Sequence, residues 1–223
     1  MSQMALILQH GDWGPPATLA EWCAARGIAF EVHHAQSRAP LPELNGQAFV
    51  ASLGSPHNPD DEHVDQVAAE VAFIGEAVRR DVPVLGLCFG GQMLAKVLGG
   101  TIERAPAPEL GWYAIETVDA AVVPAGPWLQ WHFDAFTLPP GAEQLAISDA
   151  GVQAFAHGPH LGVQFHPEST IEIVRRWAQA DRERLRALGI DDGEALLERG
   201  SKHAEEAKAA AFELFDAFRE RAR

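Results

Sequence analysis

VPVLGLCFGGQMLA, residues 82–95, is the stretch on which the fold turns. VPVLGLC (82–88) is a continuous apolar run of strand length, the pattern of a central parallel strand covered on both faces. GGQMLAKVLGG then reads as a short helix closed by Gly99 and Gly100. A buried strand that becomes a helix at a single cysteine needs a very sharp turn. Gly86 and Gly90 carry no side chains to obstruct that approach. The mechanics are those of the G-x-S-x-G elbow, with sulfur in place of oxygen, and they lift Cys88 above the sheet as a nucleophile. The helix start favours the thiolate, and the backbone N–H of Phe89 is placed to bind an oxyanion. A free cysteine is commonly a small core hydrophobe; the G-x-C-x-G-G frame sets Cys88 apart from that fate. Cys23, beside Trp22 in a helical pattern, lacks the frame and reads as packing.

Working outward from this strand, the first half alternates. MALILQH (4–10) and QAFVASLG (47–54) are apolar strands, and IAFEVHH (28–34) alternates like one. ATLAEWCAARG between the first two has helical spacing, with Gly27 as its C-cap. DDEHVDQVAAEVAFIGEAVRR places Val64, Val67, Val71, Ile74 and Val78 three and four apart, an amphipathic helix acidic at its start and basic at its end. Strands alternating with helices predict an α/β domain built on a mostly parallel sheet. From Thr101 to Phe165 prolines and glycines separate short strand-like pieces, which read as hairpins and meanders extending that sheet. Two helical stretches from about residue 169, joined by LGIDDG, close the chain. No repeat or linker is visible, so residues 1–223 read as one domain with a C-terminal helical extension.

Bulk properties limit the function. The 223 residues suffice for one substantial core. A formal net charge of −14, with no basic cluster, argues against nucleic acid and against anionic membranes. The N-terminus MSQMALILQHGDWG lacks a basic leader region and a cleavage site, and no apolar run has membrane-spanning length. The expected compartment is the cytoplasm, with both thiols reduced.

A nucleophilic cysteine needs a base, and the base needs a group to orient it. GVQFHPEST (162–170) offers both. His166 follows a strand-like run, Pro167 disfavours a helix there, and Glu168 two positions on projects to the same face. Glu168 then sets the tautomer of His166, the acid's part in a triad. Alone, His-Pro-Glu is a surface turn opening a helix; beside the cysteine elbow, it supplies the missing partners. The other histidines, His33, His34, His57 and His63 among them, show no paired metal-ligand spacing, so neither a metal nor a cofactor is expected.

GLCFGGQ together with VQFHPE, roughly eighty residues apart, resembles the class I (triad-type) glutamine amidotransferases over residues 4–175. QHGDWGPP and WHFDAFTLPPGA are similar to stand-alone relatives of the GMP synthase glutaminase domain. The resemblance implies a flavodoxin-like three-layer fold. It implies that Cys88 attacks the side-chain amide of glutamine, with His166 and Glu168 as partners and water resolving a γ-glutamyl thioester. It assigns Gly54, in SLGSPHNPDD, as a second backbone oxyanion donor, although this loop has a single glycine where the family usually has a double-glycine-proline form. Gln92 matches the glutamine that holds the amino-acid end of the substrate. His132 and Asp134, alternating in WHFD, are candidates to face the pocket, or else belong to an ordinary hairpin with one buried imidazole.

Three functions follow. The first is a glutaminase serving a separate synthetase or other ammonia acceptor, since no G-x-x-x-x-G-K-[ST] loop is present. The second is a γ-glutamyl hydrolase or peptidase cleaving other γ-glutamyl amides. The third is a non-catalytic interaction module on the same scaffold, against which the intact Cys88, His166 and Glu168 argue.

Overall fold

The computed structural model of the protein describes residues 4–35, 37, 39–190 and 193–223. Residues 1–3 of the stretch read for a leader, and Asp191 and Asp192 of LGIDDG, lie outside the described residues. The first half forms β1 (Ala5–Gln9), α1 (Ala17–Ala25), β2 (Phe30–His34), β3 (Val50–Ser52), α2 (Asp65–Arg79), β4 (Val84–Leu87) and α3 (Phe89–Val97). The strands lie in the order β2-β1-β3-β4, all parallel.

Alternation along β1 shows why the layers form. Ala5 and Ile7 join a cluster with Leu19 and Trp22 of α1, while Leu6 and Leu8 join another with Ile74 of α2 and Met93 of α3. Successive side chains of a strand point to opposite faces, so the apolar residues 5–8 of one strand supply both cores. Of the valine stripe on α2, Val67 is buried, and Val64, Val71 and Val78 pack half-buried against the second cluster.

The second half forms β5 (Ile102–Tyr113), β6 (Glu116–Thr117), β7 (Trp128–Phe136), β8 (Glu143–Ser148), β9 (Gly151–His157) and β10 (His160–Val163). It extends the sheet as expected in β10-β9-β8-β6, with β10 parallel to β4 and the rest antiparallel. Two pieces depart from the expectation. β5 and β7 leave the main sheet and form a two-stranded antiparallel ribbon of their own. Its ladder shifts between Arg104 and Glu109, where Pro106 and Pro108 have no N–H to give.

Among the described residues three helices rather than two close the chain: α4 (Ile171–Ala180), the six-residue α5 (Arg182–Ala187) and α6 (Glu194–Arg221). α6 packs Ala211, Leu214, Phe215 and Phe218 into the α1 side of the core. There Asp216 accepts from Trp22 Nε1 at 2.9 Å and from Arg26 Nε at 2.8 Å. No helix among the described residues is long and apolar enough to cross a membrane.

The junction of β4 and β10 carries a pH signature. Val84 donates its backbone N–H to Nδ1 of buried His160 at 3.2 Å, which requires an unprotonated nitrogen. Burial, with a smaller push from His157, takes the ring's pKa down to about 4 from the ordinary 6.5. Above pH 6.5 the ring is neutral in both states and its contribution is complete. Below it, the unfolded chain binds a proton that the folded chain refuses. Stability is expected to fall as pH drops from 6.5 towards 4, and His160→Gln should flatten that fall in urea-unfolding midpoints. Equal slopes in the two proteins would remove His160 from the account.

Candidate active site

Cys88 stands where β4 ends and α3 begins, with φ 52° and ψ −107°. A positive φ at a residue with a side chain costs on the order of 1–3 kcal/mol and persists only where the surroundings impose it. Here they do. The Cys88 N–H donates to Val163 O at 2.9 Å on one side, and its carbonyl starts α3 by accepting from Gln92 on the other. The flanking glycines have specific reasons. A Cβ on Gly86 would run into the carbonyl of Gly90, one on Gly90 into the carbonyl of Ser52, and one on Gly91 into that of Val163. The helix is pressed directly onto β3, β4 and β10, which is why the turn is tight.

His166 comes to this turn from the end of β10. Its N–H donates to Leu129 O of β7 at 2.9 Å, so the segment is pinned between sheet and ribbon. Nδ1 lies 2.8 Å from Glu168 Oε1, and both side chains are buried. Thr170 accepts from the Ile173 N–H and starts α4 directly after. Burial opposes charge on the imidazole, but Cys88 and then Glu168 outweigh it and carry its pKa up to about 10. The arrangement is an imidazolium held between sulfur and carboxylate. The other cysteine differs: burial alone pushes the Cys23 thiol up to about 11.

The loop after β3 closes the other side. A Cβ on Gly54 would lie 2.8 Å from Cε1 of His166, so only glycine fits against the ring. Behind this loop is a buried group that has no sequence motif. His10 bonds the Gly54 carbonyl through Nδ1 at 3.1 Å and Glu70 through Nε2 at 2.7 Å. Glu70 also accepts from Ser52 Oγ at 2.6 Å. The His10 ring meets that of Phe89 edge-on at 4.9 Å. One imidazole thus touches both residues expected to supply oxyanion donors. The signal in the sequence was only His10 at a strand end and Glu70 on the apolar side of an amphipathic helix.

Gln92 is brought to the same place. Its Nε2 donates to Asp134 O at 3.1 Å and to Gln164 Oε1 at 3.3 Å. Gln164 in turn directs Nε2 at Cys88 Sγ, 3.7 Å away, a contact the sequence reading missed. His132 and Asp134 line the cavity too, but their polar atoms are engaged by the protein. His132 Nε2 meets Glu109 at 3.0 Å, and the Asp134 carboxylate accepts from Asn58 at 3.1 Å and Arg104 at 3.2 Å. The cavity over Cys88 measures about 500 Å³.

A nucleophile elbow with an adjoining His–Glu pair in an α/β sheet is shared by several hydrolase families, and comparison decides among them. Residues 18–175 match the family model for glutamine amidotransferase class-I. The chain belongs to the class-I glutamine amidotransferases. Among relatives of this amidotransferase, one of the subunits of the glutamine-hydrolysing GMP synthase of Haloarcula marismortui is 31% identical over 181 residues, 75% of this chain and 86% of that one. The GMP synthase of Aeropyrum pernix is 36% identical over 152 residues, 64% of this chain but 28% of that one, so the match spans less than a third of that longer protein. Among solved structures, a glutamine amidotransferase from Thermotoga maritima superposes with a TM-score of 0.89 at 27% identity, covering 99% of both chains. One from Methylobacillus flagellatus superposes with a TM-score of 0.88 at 26% identity, covering 99% of this chain and 96% of that one.

Proposed function

We propose that this amidotransferase hydrolyses the side-chain amide of glutamine through Cys88, His166 and Glu168, and that it supplies the ammonia to a separate acceptor protein. The observation that carries the reading is the buried His166–Glu168 pair, 2.8 Å apart, beside a cysteine held at φ 52°. Cys88 Sγ attacks the amide carbon, and the developing oxyanion is met by the backbone N–H groups of Phe89 and Gly54. His166 gives its proton to the departing nitrogen, and ammonia leaves. His166 then takes a proton from water, which opens the γ-glutamyl thioester to glutamate and frees the thiol. Gln92, with His132 and Asp134 shaping the pocket beside it, holds the amino-acid end. Its Nε2 is fixed by two acceptors.

The Haloarcula relative, one subunit of a GMP synthase, supports an acceptor on another chain. A synthetase of that kind is the partner this reading favours, with this chain alone turning glutamine over slowly. α6, which shares the core of β1 and β3, supports treating residues 1–223 as one amidotransferase domain.

The test is covalent labelling with a glutamine-like chloroketone, followed by peptide mapping. Cys88 is expected to be alkylated while Cys23, with its thiol pushed up to about 11, is spared. Labelling of Cys23 in preference to Cys88 would end this reading.

A further inference from the structure

The cavity is larger than its glutamine task requires. At about 500 Å³ it matches clefts that enclose drug-sized ligands rather than a free amino acid. Its two sides also differ in chemistry. Gln92 and the Asp134 backbone lie on the side assigned to the amino-acid end. On the other side the His166 ring meets the Trp177 ring at 4.8 Å. Trp177 meets Trp131 at 5.7 Å and Trp13 at 6.3 Å, and donates Nε1 to the Trp13 carbonyl at 2.9 Å. The departing nitrogen takes its proton from His166, so the leaving group emerges on this indole side. Ammonia has no apolar surface to lay against indoles. Yet Trp13 and Trp131 remain half-exposed in the cavity.

The rim adds charge. Arg176 and Arg184 line the cavity and are exposed, in a chain whose net charge is −14. The Arg184 guanidinium lies 4.8 Å from the centre of the Phe133 ring, and guanidinium groups suit carboxylates. The carboxylate of Asp181, also at the rim, is already bonded by Trp131 Nε1 at 3.1 Å. Arg176, Trp177, Asp181 and Arg184 all lie beyond residue 175, where the family match stops. Trp177 and the rim arginines come from α4 and α5, and Trp131 from β7.

We infer that the indole side is a leaving-group subsite, and that the chain cleaves γ-glutamyl amides of aromatic amino acids. The ring of the leaving amino acid lies among Trp13, Trp131 and Trp177, and its carboxylate faces Arg176 and Arg184. The inference rests on the Cys88 chemistry proposed above and changes only the amine. The Sγ–C bond forms, the C–N bond breaks, and His166 protonates the amine nitrogen. Water then returns glutamate, so one γ-glutamyl dipeptide and one water give two amino acids.

The experiment compares kcat/KM of the full chain for γ-glutamylphenylalanine, γ-glutamylalanine, γ-glutamylphenethylamide and glutamine. γ-Glutamylphenylalanine should exceed γ-glutamylalanine by about tenfold or more, the discrimination an apolar pocket gives. It should also exceed γ-glutamylphenethylamide, which lacks the carboxylate. Trp131→Ala should shrink the first ratio and Arg184→Gln the second, with thermal unfolding showing that each variant is folded. Equal values for the two dipeptides, or cleavage of glutamine only, overturn the inference. Chloroketone labelling separates the two failures. If Cys88 is labelled and γ-glutamylphenylalanine is untouched, the subsite alone is wrong. If Cys88 resists labelling, the catalytic reading falls, and this one falls with it.

Discussion

Cys88→Ala is expected to lose glutamine hydrolysis by on the order of 10⁴-fold or more, the scale seen when a triad member is removed. The loss is chemical rather than structural. The thiol is buried, and the side chains that meet its sulfur, Gln164 Nε2 at 3.7 Å and the His166 ring, are each held by other partners as well. The unusual φ of 52° is imposed on a residue that already has a Cβ, so alanine adds no backbone strain. The glycines that permit the turn are untouched. Thermal unfolding should therefore stay close to that of the parent while ammonia release disappears. Residual turnover near the parent's would show that Cys88 is not the nucleophile. The matching change Cys23→Ala removes sulfur from a packed site between α1 and the sheet and should act on stability instead.

The part of the fold that local pattern determines was legible in the chain itself. β4 is short, apolar and covered on both faces, and its run of Val, Leu and Gly says so without reference to anything distant. The stripe on α2 declares its period in the same way. What the pattern could not show was partner choice among the later strands. β10 and β9 join the main sheet, whereas β5 and β7 pair with each other, and each of these pieces alternates or runs apolar in much the same manner. Pairing depends on contacts far apart in sequence, to which hydrophobic period is blind. α5 escaped notice for a simpler reason: six residues are too few to display a helical period.

The same division runs through the site. Cys88, Gln92, His166 and Glu168 sit in two short motifs, and the structure brings both motifs to one cavity. His10 and Glu70 are sixty residues apart, each with an ordinary local explanation, and only folding puts 2.7 Å between them. The indole wall is similar. Trp13, Trp131 and Trp177 come from a loop, a ribbon strand and a helix, so no window of sequence contains more than one of them. His132 shows the converse: WHFD looked like a pocket element, and the imidazole does line the cavity, but Glu109 and the Asp134 carbonyl occupy both of its nitrogens.

Removing the proton carrier should be nearly as damaging as removing the nucleophile. In His166→Ala no group remains to protonate the departing nitrogen, so the loss should again be on the order of 10⁴-fold. The double variant Cys88→Ala/His166→Ala should be no worse than either single change, because the two act as one unit. Glu168→Gln should cost less, since the side chain keeps its shape and can still meet Nδ1, but it withdraws a negative charge. That change has a direction in pH. Burial opposes the imidazolium, and Cys88 and Glu168 together raise its pKa to about 10. In the proposed mechanism protonated His166 is the acid that releases the amine, so acylation in the parent should hold through neutral pH and fail as pH rises through about 10. With the carboxylate charge gone, burial gains ground and the pKa of His166 drops. The alkaline limb of kcat/KM in Glu168→Gln should therefore move to lower pH, which a residue serving only as packing would not cause. Superimposable pH profiles for parent and Glu168→Gln would leave the carboxylate with a structural part alone.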